Sequence, residues 1–259
     1  MKILVCIKQV CESESPIQID EHARWIQTDA ITGYKMNRLD EFAVEEAILL
    51  KETYPGTIID AITIGPDRSA EVIKRAIGMG ANHGVHIITE SDGHQNPFTI
   101  ASRIADYARD KHYTLIFTGV MSEDQMQGQA RPLIAACLCL PWATAVIRQQ
   151  MAPDNKSVYV EREIEGGSRD TLQLQLPAVL TIQSGINTPR YPSLSNLLRA
   201  NRQKLETIQA GDSVQPKLRE KVVRVAYPEK SRSGTFLAGT QREKAIRLLK
   251  LLRERALIQ

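Results

Sequence analysis

Four strand-length apolar runs constrain this chain more than any other feature: "KILVCIK" at 2–8, "TIIDAITIG" at 57–65, "GVHII" at 84–88 and "YTLIFTG" at 113–119. A run without polar alternation belongs to a strand covered on both faces, as in the interior of a parallel sheet. Segments of helical period follow them: "MNRLDEFAVEEAILLKET", "DRSAEVIKRAIGMGA", "PFTIASRIADYARDK" and "QARPLIAACLCL". Strands alternating with helices at this pitch predict an α/β fold, a doubly wound, mostly parallel sheet with right-handed crossovers. Ligands of such sheets sit beyond the carboxyl ends of the strands, where strand order reverses.

The first helix is predicted to open at Asn37 as N-cap, with Asp40 in its first turn complementing the dipole and Leu39, Phe42, Ala43, Ala47 and Leu50 on its buried face. "PIQIDEHARWIQTD" alternates as a short hairpin does, and "WATAVI" reads as a further strand. "SVYVEREIEGGSRDTLQLQLPAVLTI" alternates on both sides of Gly166 and Gly167, predicting a hairpin that extends the sheet with antiparallel strands. After Asn187 no strand–helix unit is legible until "GTQREKAIRLLKLLRERALIQ". There Thr240 and Glu243 form a capping-box pattern, and Ala245, Leu248, Leu249, Leu252 and Ala256 share a face. The expected organisation is an α/β domain over 1–186, a loop and helix over 187–208, and a C-terminal arm over 209–259.

Composition excludes several classes. A net charge of +3 argues against a dedicated nucleic-acid binder. The basic residues crowd between Arg190 and Arg255, but Tyr227 and Phe236 stand isolated there, without the aromatic platform that single strands need. Cys6, Cys137 and Cys139 lie in apolar runs, read as buried reduced thiols, and no cysteine pair has metal-site spacing. "MKILVCIKQV" is too short to span a membrane and lacks a small-residue cleavage site, so it is read as the first strand of a cytoplasmic protein. The histidines are scattered, and neither a nucleophile triad nor a metal cluster, Walker loop or GxGxxG is present.

One stretch has the form of a nucleotide site. In "LIFTGVMSEDQMQGQARPLIAA" a strand ends at Gly119, and the loop Val120, Met121, Ser122, Glu123, Asp124, Gln125, Met126, Gln127 leads through Gly128 and Gln129 into a helix. Such a unit aims backbone N–H groups at whatever lies above the strand end, commonly a phosphate. Gln125, Gln127 and Gln129 add amide donors, and Gly128 allows close backbone approach. Read alone, the signal is weak, because many such loops merely cap a helix. Lys8, after the first strand, and Asn37 fall in the same neighbourhood, with a solvated lysine and a plain N-cap as the alternative readings.

Several stretches together resemble the β subunit of electron transfer flavoproteins. "KILVCIKQV" is similar to that family's opening strand, "MNRLDEFAVEEAILLKE" to its Asn-Pro-x-Asp-x-x-Ala-x-Glu-Glu-Ala helix and "GMGANHGVHI" to its Ala-Met-Gly-Ala-Asp-x-Gly turn. "YVEREIEGGSRDTLQLQLPAVLTI" resembles its Gly-Gly hairpin and Leu-Pro-Ala-Val strand, and "NTPRYPSLSNLLRANRQKLETI" its signature Asn-x-Pro-Arg-Tyr-x-x-Leu-x-x-Ile-Met-x-Ala. Arg38 stands where the family has proline, and the loop after Gly119 is shorter than the family's. The resemblance implies a fold of the adenine-nucleotide α-hydrolase-like type and a non-enzymatic electron carrier, obligately paired with an α subunit that holds most of the contacts to a redox FAD. The β subunit would bind AMP or, in the electron-bifurcating branch that uses NADH, a second FAD. It implies nucleotide contacts from Cys6, Lys8, Asn37, Arg38, Leu39, Asp40, Ile64 and the loop from Gly119 to Gln129. Implied partners are a flavin dehydrogenase such as acyl-CoA dehydrogenase and an acceptor of the ETF-quinone oxidoreductase type. A stand-alone adenine-nucleotide-binding regulatory protein is the alternative of another class.

Within the signature, Pro189 and Pro192 push the residues before them into extended conformations, after which Ser193 or Ser195 caps a short helix. That helix would carry Leu194, Leu197 and Leu198 beside basic residues, a composition suited to a protein partner, with a surface helix packed on its own domain as the alternative reading. The expected docking group is Pro189, Arg190, Tyr191, Leu194, Leu197 and Leu198, with Leu194 matching the leucine by which the family anchors acyl-CoA dehydrogenases.

Overall fold

The apolar runs become strands. In a computed structural model, residues 1–22, 25–28, 32–90, 94–210, 220–228 and 234–258 are described. Residues 23, 24 and 29 of the expected hairpin, and 211–219, 229–233 and 259 of the expected arm, lie outside them. The elements in chain order are β1 (Lys2–Cys6), β2 (Gln9–Cys11), β3 (Gln18–Ile19), β4 (Ile26–Gln27), β5 (Tyr34–Met36), α1 (Arg38–Thr53), β6 (Ile58–Gly65), α2 (Ala70–Met79), β7 (His83–Ile88) and α3 (Pro97–Ala108). They continue with β8 (Leu115–Gly119), α4 (Ala130–Leu138), β9 (Trp142–Met151), β10 (Ser157–Glu163), β11 (Arg169–Gln175), β12 (Ala178–Ile182), α5 (Leu194–Arg202), β13 (Glu206–Gln209) and α6 (Gln241–Glu254). By internal contacts the chain divides into Met1–Val225 and Ala226–Gln259.

Among the described residues, nine strands of the first unit form one sheet in the order β11-β10-β9-β12-β8-β1-β6-β7-β13. From β1 the chain steps outward through β6 and β7, then returns to the other side of β1 as β8, so strand order reverses between β1 and β8. Consecutive β1 residues face opposite ways. Ile3 and Val5 join a core with Val44 and Ala47 of α1, Ile73 and Ala76 of α2, and Phe117. Leu4 and Cys6 join a second core with Ala101 and Ile104 of α3, Ile134 of α4 and Ile116. The unbroken apolar runs are thus explained by helices on both faces.

Three expectations need correction. The antiparallel hairpin comprises only β10 and β11, whereas Ala178–Ile182 lies parallel between β8 and β9. All five residues of β12 are buried, and a continuous apolar strand satisfies both faces inside the sheet rather than in an edge hairpin. Second, a strand follows the expected short helix after Asn187. Helix α5 is capped by Ser193, whose Oγ accepts from Asn196 N–H at 3.2 Å, and β13 pairs in parallel with β7. The short, polar sequence of β13 gives little periodic signal. Third, Cys139 is exposed and Cys137 half-buried, because α4 ends with Cys139 in a left-handed cap at φ 54°.

The second unit contains α6. Its capping box forms, with Thr240 N–H donating to Glu243 Oε2 at 2.8 Å and Glu243 N–H to Thr240 Oγ1 at 3.4 Å. No residue of α6 is buried, so Leu248 and Leu249 stand exposed on its apolar face.

At the amino-terminal end of the sheet, Asp60 of β6 is buried. It accepts from Tyr113 Oη at 2.7 Å, contacts His83 Nδ1 at 2.9 Å and pairs with Lys2 Nζ at 3.3 Å. Burial raises its pKa, but the hydrogen bonds from Tyr113 and His83 and the charge of Lys2 outweigh that and hold the carboxyl below its ordinary value. The stabilisation is therefore fully present above the unfolded aspartate value of about 4 and is lost as pH falls through the folded value. Asp60→Asn is expected to cost about 2 kcal/mol near neutrality. Urea titrations taken into acid should find the variant's stability falling less steeply than the parent's below about pH 4.

Candidate functional site

Above the carboxyl ends of β1, β6 and β8, at the point of strand reversal, lies a cleft of about 1240 Å³, open solvent included. Its apolar side comes from Cys6, Ile64, Ile100, Ile104 and Ile134. Its polar side comes from Lys8, Ser122, Asp124, Gln125, Gln127, Gly128, Gln129 and the first turn of α4.

Asp40 holds this cleft's floor. It is 1% exposed, its Oδ2 accepts from the Lys8 N–H at 2.8 Å, and its Oδ1 accepts from the Gly119 N–H at 3.0 Å. One carboxylate thereby joins the ends of β1 and β8, satisfying two backbone donors that neighbouring strands do not reach. Arg131 closes the group, with its Nη2 3.8 Å from Asp40 Oδ1 and its Nε donating to Gly119 O at 2.6 Å. Burial nevertheless dominates and raises the Asp40 pKa, against the lowering by Arg131 and the hydrogen bonds from Lys8, Asn37 and Gly119. Cys6 beside it is pushed well up by burial and then by the Asp40 charge, which leaves a neutral thiol rather than a nucleophile.

Asn37 stands at the expected N-cap position, but its side chain makes no capping bond. Its Nδ2 donates to Met121 O at 2.9 Å and its Oδ1 accepts from Glu123 N–H at 3.0 Å, so it clamps the loop after β8. Its own N–H donates to Lys8 O at 2.8 Å. Glu123 in turn accepts from the Arg38 N–H at 3.3 Å and pairs with Lys35 at 3.3 Å. Lys8 reaches across to Asp124 at 2.7 Å. Further along, the loop turns at Met126 and Gly128, with φ of 53° and 65°. The Gln129 side chain leaves the first turn of α4 uncapped, with Ala130 and Arg131 lining the cleft.

The residues singled out from sequence divide by role. Cys6, Lys8, Asp40, Ile64, Ser122, Asp124, Gln125, Gln127, Gly128 and Gln129 line the cleft. Asn37, Arg38, Leu39, Gly119, Val120, Met121, Glu123 and Met126 are not on its wall; of these Asn37, Arg38, Gly119, Met121 and Glu123 take part in the bracing contacts just described, and Met126 is exposed. Sequence reasoning did not find the overhanging wall: Trp25 and Ile26 from the β3–β4 hairpin, Tyr34, and Arg68 stacked 4.1 Å over the Tyr34 ring. Trp25 packs against His94 at 5.2 Å, and the His94 Nδ1 lies 3.1 Å from Gln125 Nε2. The signal was present in "ARWIQ", because a hairpin inserted between the first strand and first helix of such a sheet emerges at the ligand end. Among the described residues no group of three or more His, Cys, Asp or Glu is arranged to hold a metal, and no helix is long and apolar enough to cross a membrane.

The other group, residues 189–198, lies on the α1/α2 face. Arg190 is bound to Glu45 and Glu52, and Leu197 is half-buried against Gly78, where an added Cβ would come 2.9 Å from Leu197 Cδ2. Tyr191, Leu194 and Leu198 are exposed by 86%, 74% and 54%.

A Cβ on Gly119 would stand 2.6 Å from Asp40 Oδ1 and 2.6 Å from the Leu39 carbonyl carbon. Gly119→Ala is accordingly expected to push the start of α1 off the end of β8 and to cost about 1–3 kcal/mol, read as a lowered thermal midpoint.

The electron transfer flavoprotein domain model matches residues 25–213. The chain is 31% identical to the electron transfer flavoprotein subunit beta of Bacillus subtilis, over 99% of each chain. It is 33% identical to that of Dictyostelium discoideum, over 100% of this chain and 99% of that one. With the mouse subunit beta the identity is 32%, over 93% of this chain and 94% of the relative.

Proposed function

Because the chain belongs to the electron transfer flavoprotein β-subunit family, we propose that it is the β subunit of a heterodimeric electron carrier and holds AMP in the strand-end cleft. The observation that carries this reading is the pairing, in one cleft, of an apolar wall with an uncapped helix N-terminus. A purine suits the isoleucine side, and a phosphate suits the first-turn amides of α4. The cations nearby are largely spoken for, Lys8 by Asp124 and Arg131 by Asp40, so backbone amides and glutamine side chains are the groups left to meet a phosphate. Asp40 and Asn37 would act through the backbone they hold, fixing the distance between the β1 end and the loop after β8.

FAD, held mostly by the α subunit, would supply the one-electron chemistry. The β chain's own part is to bind, brace and dock. Electrons would come from a flavin dehydrogenase, such as an acyl-CoA dehydrogenase, and go to a quinone-linked acceptor. We place the carrier in the cytoplasm, a compartment in which cysteine thiols stay reduced.

Denaturing the purified heterodimer and separating the released nucleotides should yield one FAD and one AMP. Two FADs would replace this reading with the bifurcating, NADH-using one. A lone chain that is soluble, monodisperse and saturably loaded with nucleotide would favour the stand-alone regulatory protein. In the intact heterodimer, Leu194→Ala is expected to slow electron transfer from the dehydrogenase by roughly tenfold or more, the loss of an exposed anchoring side chain. Bound nucleotide should be unchanged in the same preparation, and an unaltered rate would remove Leu194 from the docking surface.

A further inference from the structure

Two segments more than a hundred residues apart in sequence interlock on the α1/α2 face. Glu45 is 4% exposed although it is a carboxylate in the middle of a helix. Its two oxygens take Arg190 Nε at 3.1 and 3.0 Å and Arg190 Nη2 at 2.8 Å, and Oε2 also accepts the Arg190 main-chain N–H at 3.1 Å. The remaining arm of the guanidinium, Nη1, reaches Glu52 Oε1 at 2.7 Å. Beside it, Asn187 Nδ2 donates to Glu46 Oε2 at 2.9 Å and to Phe42 O at 3.1 Å. From α2, Arg75 Nη2 pairs with Glu41 at 2.7 Å while its guanidinium lies 5.6 Å from the Tyr191 ring centre.

The base of the 187–191 segment is thus tied by side chain and main chain to one helix, while its apolar tips stand in solvent. A planar guanidinium met by a buried carboxylate fixes orientation as well as position. The same helix begins with Asn37 and Asp40, which hold the cleft loop, so its two halves serve the two regions.

We propose that Glu45 is the positioning residue of the docking loop. By gripping the guanidinium and backbone of Arg190 it holds Tyr191 and Leu194 in the posture in which a partner protein meets them, so that little ordering remains to be done on association. This rests on the reading of residues 189–198 as a docking surface.

The test uses the intact heterodimer carrying Glu45→Gln or Arg190→Lys. The first keeps shape and removes charge; the second keeps charge and removes the fork. Hydrogen exchange of the amides from Tyr191 to Leu198 should quicken by roughly tenfold in both variants. With medium-chain acyl-CoA dehydrogenase reduced by octanoyl-CoA as donor, KM for the dehydrogenase should rise several-fold while kcat is largely kept. Adding Leu194→Ala to Glu45→Gln should cost clearly less than Leu194→Ala does alone, because a loop already misplaced has lost that anchor. Unchanged exchange, faster exchange with unchanged KM, or full additivity with Leu194→Ala would each overturn the proposal. If the parent heterodimer takes no electrons from this dehydrogenase, the docking reading fails, and with it the docking role of Glu45; the exchange data then report only whether Glu45 holds the loop.

Discussion

The buried carboxylate of Asp40 is the contact on which the rest of the ligand end depends. Parallel strands finish with backbone N–H groups aimed past their neighbours, and at the β1/β8 reversal no strand follows to take them. Asp40 accepts the N–H of Lys8 from one strand end and that of Gly119 from the other. Gly119 has no side chain because the start of α1 occupies that space. Burying the charge is unfavourable, as the upward shift of its pKa records, and two amides and Arg131 are what offset it. The strand ends, the helix start and the helix after the cleft are consequently placed by one side chain.

Helix α1 carries this arrangement to the other side of the molecule. Its polar residues are those a plain amphipathic helix would point to solvent, yet Asp40, Glu45 and Glu46 are buried. Their hydrogen bonds run to distant strand ends and loops: the ends of β1 and β8 for Asp40, the 187–190 segment for Glu45, and both that segment and Gln149 of β9 for Glu46. Loops usually owe their variability to weak attachment. Here two of them are attached through charge-assisted hydrogen bonds to the same rigid element, which is why motifs separated by most of the sequence belong to one physical unit.

Legibility followed the strength of local signals. β1, β6, β7 and β8 could be read directly, because double burial demands unbroken apolar runs. β12 has the same character, but following a true hairpin it was absorbed into it; its neighbours β8 and β9 are far in sequence, and pairing partners leave no local trace. β13 was unreadable because an edge strand of four residues needs neither alternation nor apolarity. In the cleft, the loop from Gly119 to Gln129 was visible as a strand–loop–helix unit, and the group from Cys6, Lys8 and Asn37 to Ile64 through the family resemblance. Trp25, Tyr34 and Arg68 were missed because the clue lay not in local pattern but in the hairpin's place between the first strand and the first helix, which puts it at the ligand end.

What the sequence determined by itself is the layered α/β architecture, the capping of α5 by Ser193 or Ser195 and of α6 by Thr240, and the family, since these follow from periodicity, local hydrogen bonding and motif. The tertiary structure decided what each polar residue is for. Asn37 sits at an N-cap position and clamps a loop instead; Asp40 sits in a first turn and joins two strands; Glu45 sits mid-helix and holds an arginine 145 positions away. A polar side chain has local and distant ways to satisfy its hydrogen bonds, and only the folded chain brings the distant ones within 3 Å.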